Sequence, residues 1–328
     1  MFSRKIVSLV LIFFLLSESG CVHVARMKLP PTPNAPPNEL VDYYRYPPLK
    51  AAPVVHLLKN HRSYIEKRVI FRQVEDRPGR HITLVIRYYE PKEKKPRPLI
   101  LITPVLGKNY GVEHFFASYF ISHGYTCAIV ERQRLRLLPD QELTAVEDYF
   151  RSSIIRLRIA LDWLERQDRV DPNHMGAMGI SFGGILNTVL GGIEPRLKCH
   201  VIALAGGNLP DVICYSHEGA IKRYRQQFMK KRGIGLEEFH RQLEKTIISE
   251  PMVFAHFIDS RNVHLFIAWF DFVVGRKHAR KLEKAFGYPE TYYVPFGHYS
   301  SVLAAPFVRV KALHFLDSHL KDPSVAKR

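Results

Sequence analysis

From residue 62 onward the spacing of apolar positions switches between two periods. Two β-rich runs, "RSYIEKRVIFRQV" (62–74) and "HITLVIRYYEP" (81–91), flank the turn signal "EDRPGR" and predict an opening antiparallel strand pair. Beyond the exposed loop "KEKKPRP", short continuous apolar runs alternate with segments whose apolar residues recur every three to four positions. "PLILITPVLG", "YTCAIVE", "MGAMGI", "CHVIALAGG", "VHLFIAWF" and "ETYYVPFG" read as strands. "VEHFFASYFISHG", "LTAVEDYFRSSIIRLRIALDWLERQ", "GGILNTVLGGI", "RKHARKLEKAFG" and "VLAAPFVRVKALHFLDSHL" read as helices. Strand and helix in turn predict an α/β fold, a mostly parallel sheet with helices on both faces.

Two stretches break that rhythm. Residues 21–53, with "MKLPPTPNAPPNELVDYYRYPPLKAAP", are rich in proline and lack periodicity, so they predict an extended tether lying on a domain that spans 54–328. Residues 208–262 have helical period but are far longer than a crossover needs. An insertion where strands end predicts a helical lid; the alternative is an excursion packed away from any site.

With 328 residues, 46% of them hydrophobic, a large core is available and disorder is not the default. The formal net charge of +17 implies an anionic neighbour, membrane headgroups or nucleic acid. The N-terminus favours the first. "MFSRK" is basic, "IVSLVLIFFLL" is apolar and much shorter than the roughly 20 residues that cross a bilayer, and "SESGC" is small, so residues 1–20 predict a secretory signal. Gly20-Cys21 resembles the end of a bacterial lipobox, although Glu18 stands where leucine is usual. That resemblance implies a lipidated Cys21 and, with Val22 following it, attachment to the outer membrane or cell envelope. The basic helical clusters "KRYRQQFMKK" and "RKHARKLEK" could then face lipid phosphates or form solvated faces. Nucleic acid is not an expected partner of an exported chain. Processing at Cys21 leaves Cys127, Cys199 and Cys214, an odd number that argues against a disulfide framework. Cys127 and Cys199 lie in strand-like runs and read as small buried hydrophobes.

The candidate chemistry centres on "HMGAMGISFGGIL" (174–186), which puts Ser181 in a Gly-x-Ser-x-Gly frame between a strand and a helix. There a strained turn can lift a hydroxyl clear of the sheet, and the glycines make room for the neighbouring backbone. A serine hydroxyl needs a histidine to remove its proton, and the histidine needs a carboxylate to orient it. Asp271 after "VHLFIAWF" and His298 after "TYYVPFG" supply both in the order Ser, Asp, His; Asp259 and Glu131 are the rival acids. Two N–H donors are also needed for a developing oxyanion. One is Phe182; the other belongs to the turn "TPVLG", where Gly107 lets the backbone bend and Val105 and Leu106 remain alternatives.

Over residues from about 64 to 320 the sequence resembles the α/β-hydrolase superfamily, in the branch of dienelactone hydrolases and prolyl-oligopeptidase-like esterases. "RVDPNHMGAMGISFGG" is similar to that branch's elbow, "FDFVVG" to its acid loop and "GHYS" to its histidine loop, with Gly275 where many relatives have proline. The resemblance implies a serine hydrolase of carboxylic esters working through an acyl-enzyme. A peptidase or acyltransferase with the same three residues, or a silent envelope-associated scaffold, are the alternatives. No metal-binding or nucleotide-binding motif is present in the sequence, and no cofactor is implied.

Overall fold

The computed structural model describes residues 23–25, 33–107, 109–133 and 138–321. The predicted signal, Cys21 and residues 26–32 of the tether lie outside the described residues. One 10-stranded sheet is built from β1 (His23–Ala25), β2 (Val54–Asn60), β3 (Tyr64–Arg77), β4 (Arg80–Pro91), β5 (Arg97–Thr103), β6 (Thr126–Val130), β7 (Val170–Ile180), β8 (Leu197–Ala203), β9 (Val263–Ala268) and β10 (Glu290–Val294). Helices α1 (Asn38–Tyr43), α2 (Gly111–Ser122), α3 (Thr144–Leu164), α4 (Phe182–Gly191) and α5 (Leu209–Tyr215) are followed by α6 (Gly219–Arg232), α7 (Leu236–Thr246), α8 (Pro251–Ala255), α9 (Arg276–Ala285) and α10 (Ala305–Leu320).

The strand order is β1-β10-β9-β8-β7-β5-β6-β4-β3-β2. From β10 through β6 every pairing is parallel; β4, β3, β2 and, at the other edge, β1 are antiparallel additions. The apolar runs become parallel strands because both faces of the sheet are covered. In β5, Leu99 and Leu101 pack with α3 and α4 on one face, while Ile100 and Ile102 pack with α2 and α10 on the other, as the two-residue period requires. Helix α3 presents Val146, Phe150, Ile154, Leu157, Leu161 and Leu164 to the first of these layers, a stripe at helical spacing.

The opening pair predicted from the two β-rich runs and their turn is β3–β4, with bulges between Phe71 and Val74 and between Glu75 and Arg77. Strand β2 is an addition to that reading. All seven of its residues are exposed, so its sequence carries no one-sided apolar alternation by which to recognise a strand. The segment read as an extended tether also contains structure, the strand β1 and the short helix α1. Burial of aromatic rings, which the proline content masks, explains the docking. Tyr44 is fully buried and shares a hydrogen bond with Ser249, and Tyr46 donates to Asp162.

The buried Glu147 on α3 joins tether and insertion. It accepts hydrogen bonds from Tyr43 Oη, the Ile248 and Ser249 amides and Ser249 Oγ, at 2.7–3.0 Å. Residues 208–262 are helical, as the period predicted, and are fastened at two places beside the C-terminal ends of the parallel strands. Near α5, Ser216 Oγ donates to Val273 O and Tyr299 Oη donates to Glu218. At the far end of α6, Arg232 donates to Glu142 and to Gln141 O.

Candidate active site

Strand β7 ends at Ile180, Ser181 forms the corner, and α4 begins at Phe182. Ser181 sits at φ 55°, ψ −121°, a left-handed conformation that strains any side-chain-bearing residue. The corner is possible only because its neighbours lack side chains. A Cβ on Gly179 would fall 2.2 Å from Gly183 O, and one on Gly183 would fall 2.2 Å from Thr103 O. Thr103, the last residue of β5, fastens the corner from the adjacent strand by donating its hydroxyl to Gly183 O at 2.7 Å.

The other two candidate residues follow β9 and β10, the second and third strands beyond β7 in the sheet. Asp271 follows β9 and is 6% exposed. Its Oδ1 accepts the amides of Val273 at 2.8 Å and Val274 at 3.0 Å, and the Gly275 amide lies at 3.5 Å. Gly275 has φ 91°, a value closed to proline, which explains the departure noted from the sequence. His298 follows β10 at a turn where Gly297 passes the Phe270 carbonyl so closely that a Cβ would meet it at 3.1 Å.

These loops bring the three side chains into a relay. Ser181 Oγ is 2.8 Å from His298 Nε2, and His298 Nδ1 is 2.8 Å from Asp271 Oδ2. With Nδ1 protonated and donating to the carboxylate, Nε2 is left to accept the serine proton. Burial opposes the charged form of Asp271. The hydrogen bond and charge of His298 and the two close amides outweigh that effect and hold its carboxyl below the usual carboxylate range. The carboxylate therefore stays ionised and oriented, able to steady an imidazolium.

The rival acids are occupied elsewhere. Asp259 caps a short turn and pairs with Arg261, while Glu131 pairs with Arg68 at 3.0 Å and Arg87 at 2.8 Å. Cys127, Cys199 and Cys214 are buried free thiols, and burial pushes each thiol up. Among the described residues no group of three or more His, Cys, Asp or Glu is arranged to hold a metal ion.

Of the amides that the sequence offered for an oxyanion, that of Phe182 heads α4, where a helix N-terminus leaves it without a helical partner. In the turn after β5, Pro104 has no N–H and the Val105 amide donates to Glu113 Oε1 at 2.8 Å. Glu113 was not legible in the sequence, because an acid in a helix's first turn ordinarily answers the helix dipole alone. Around the relay Trp269, Phe270, Phe272, Tyr299, Val302 and Leu303 are exposed, a concentration of apolar surface on the acid and histidine loops.

No family model matches the sequence, and no curated protein does. Solved structures do. An acetyl xylan esterase from a Paenibacillus species superposes with a TM-score of 0.66 at 16% identity, over 87% of this chain and 100% of that one. Acetyl xylan esterase 1 from a Thermoanaerobacterium species gives 0.62 at 16% identity, over 86% and 96%. An acylaminoacyl peptidase from Pyrococcus horikoshii gives 0.56 at 16% identity, over 80% of this chain and 43% of that one. The fold is the α/β-hydrolase fold, as the sequence resemblance implied.

Proposed function

We propose that the protein is a serine hydrolase that cleaves carboxylic ester bonds. The observation that carries this reading is the relay of two 2.8 Å contacts linking Ser181, His298 and Asp271. In the reaction, Ser181 Oγ attacks the ester carbonyl carbon while His298 Nε2 takes its proton. The carbonyl oxygen becomes an oxyanion held by the Phe182 amide and a second amide from the turn after β5. The intermediate collapses, breaking the bond to the alcohol, which leaves with the proton from His298. Water, deprotonated by the same nitrogen, then attacks the acyl-serine and releases the acid.

The exposed aromatic and aliphatic side chains on the acid and histidine loops support an apolar acyl or aryl group in the substrate. The insertion, fastened beside both the acid loop and residues 141–142, is suited to act as a lid over that group. Water, an amine and a second alcohol compete for one acyl-enzyme. A peptidase or an acyltransferase is therefore the second reading, favoured by the fold shared with the acylaminoacyl peptidase.

Labelling with a fluorophosphonate probe tests the proposal. Wild type should label and Ser181→Ala should not, with His298→Ala slowed by orders of magnitude. A folded wild type that neither labels nor turns over p-nitrophenyl esters would sink the reading.

A further inference from the structure

The turn that follows β5 is braced on both sides. On one side Thr103 Oγ1 donates to Gly183 O at 2.7 Å, tying the turn to the corner that carries Ser181. On the other, Glu113 reaches back from the first turn of α2 and accepts the Val105 amide at 2.8 Å. Glu113 is only 2% exposed, and its Oε2 is buried with no hydrogen-bond partner. A buried carboxylate with one oxygen unsatisfied is a costly way to hold a backbone amide. Burial raises the tendency of Glu113 to hold a proton, and its own amide and that of Val105 offset this only in part. The charge of Arg132 also favours the ionised form.

The N–H groups available to an oxyanion in this turn are therefore few. Pro104 has none, and the Val105 N–H is engaged by Glu113. The Leu106 amide has no acceptor among the described residues, and neither has that of Phe182.

We infer that Glu113 is a positioning residue: by holding the Val105 amide it sets the 104–106 turn so that the Leu106 amide, with that of Phe182, receives the oxyanion. This rests on the serine-hydrolase reading above. Glu113 touches no reacting atom; it acts through the peptide that follows Val105. Any residue of similar size that keeps an acceptor oxygen at this position should therefore serve.

Two variants and one wild-type measurement test this. Glu113→Gln keeps the acceptor and should retain kcat for p-nitrophenyl acetate within about threefold. Glu113→Leu fills the same space without an acceptor and should lower kcat by roughly 10- to 100-fold with KM little changed, less than the roughly 10²–10³-fold lost when an oxyanion donor is removed outright. Its affinity for a trifluoromethyl ketone, whose adduct carries the same oxyanion, should fall by the same factor. Urea denaturation of both variants ensures that rates are compared at equal folded fraction. In wild type labelled with 15N-leucine and 15N-valine, formation of the ketone adduct should move the Leu106 amide proton downfield and leave that of Val105 in place.

Equal kcat in the Leu and Gln variants, or a downfield shift at Val105 instead of Leu106, would overturn the inference even if the Leu variant fails to fold. Failure of the underlying reading looks different: folded wild type would then neither turn over the ester nor bind the ketone.

Discussion

Ser181 is held at φ 55° by packing that leaves no room for a side chain on either flanking glycine, so the direction of its Cα–Cβ bond is fixed by the backbone. In the proposed reaction Asp271 acts at one remove, holding His298 in the tautomer that accepts the serine proton. Asp271→Asn should preserve the fold, because the amide oxygen can still accept from Val273 and Val274, yet it should lower kcat by about 10⁴-fold. Steady-state kinetics beside a thermal melt would check both halves of that expectation. The three side chains were legible in the sequence because each demands a particular residue type after a strand. Glu113 was not, since its partner is a main-chain amide, which every residue but proline offers. Nor did the letters separate Val105 from Leu106; that distinction depends on where one N–H points.

Among elements, α3 has a role beyond its apolar stripe. Its Glu147 collects four hydrogen bonds, one from α1 and three from the stretch between α7 and α8. Glu147→Ala would leave the Ile248 amide and the buried Ser249 amide without their acceptor. It should destabilise the protein by about 2–4 kcal/mol in urea denaturation and open residues around 246–250 to limited proteolysis. The central strands and long helices were readable because burial on both faces, or on one stripe, writes a period into the sequence. Strand β2 and helix α1 were not. The first is exposed along its whole length, and the second is a six-residue helix anchored by tyrosines within a proline-rich stretch.

At the scale of the whole molecule, acid is the expected weakness. His200 and His264 are buried in the strands β8 and β9, and burial pushes their rings down to about 4 and about 3. An unfolded histidine takes a proton near pH 6.5. Below that value the unfolded chain binds protons that the native state refuses, so stability is complete above about pH 6.5 and is lost as the pH falls toward 4. Each ring adds a slope on the order of 1.4 kcal/mol per pH unit in that window. Denaturation midpoints measured from pH 7 to pH 4.5 should show the decline, and His200→Gln, which retains an amide to meet Asn187, should roughly halve it.

The relay also has a consequence in time. Ser181 and His298 are 117 residues apart along the chain and in contact only once β9 and β10 have joined the sheet. At a synthesis rate of about 5–20 residues per second, roughly 6–23 seconds pass between the two leaving the ribosome. On the proposed reading the serine is an ordinary alcohol throughout that interval, and the nascent chain is born unarmed.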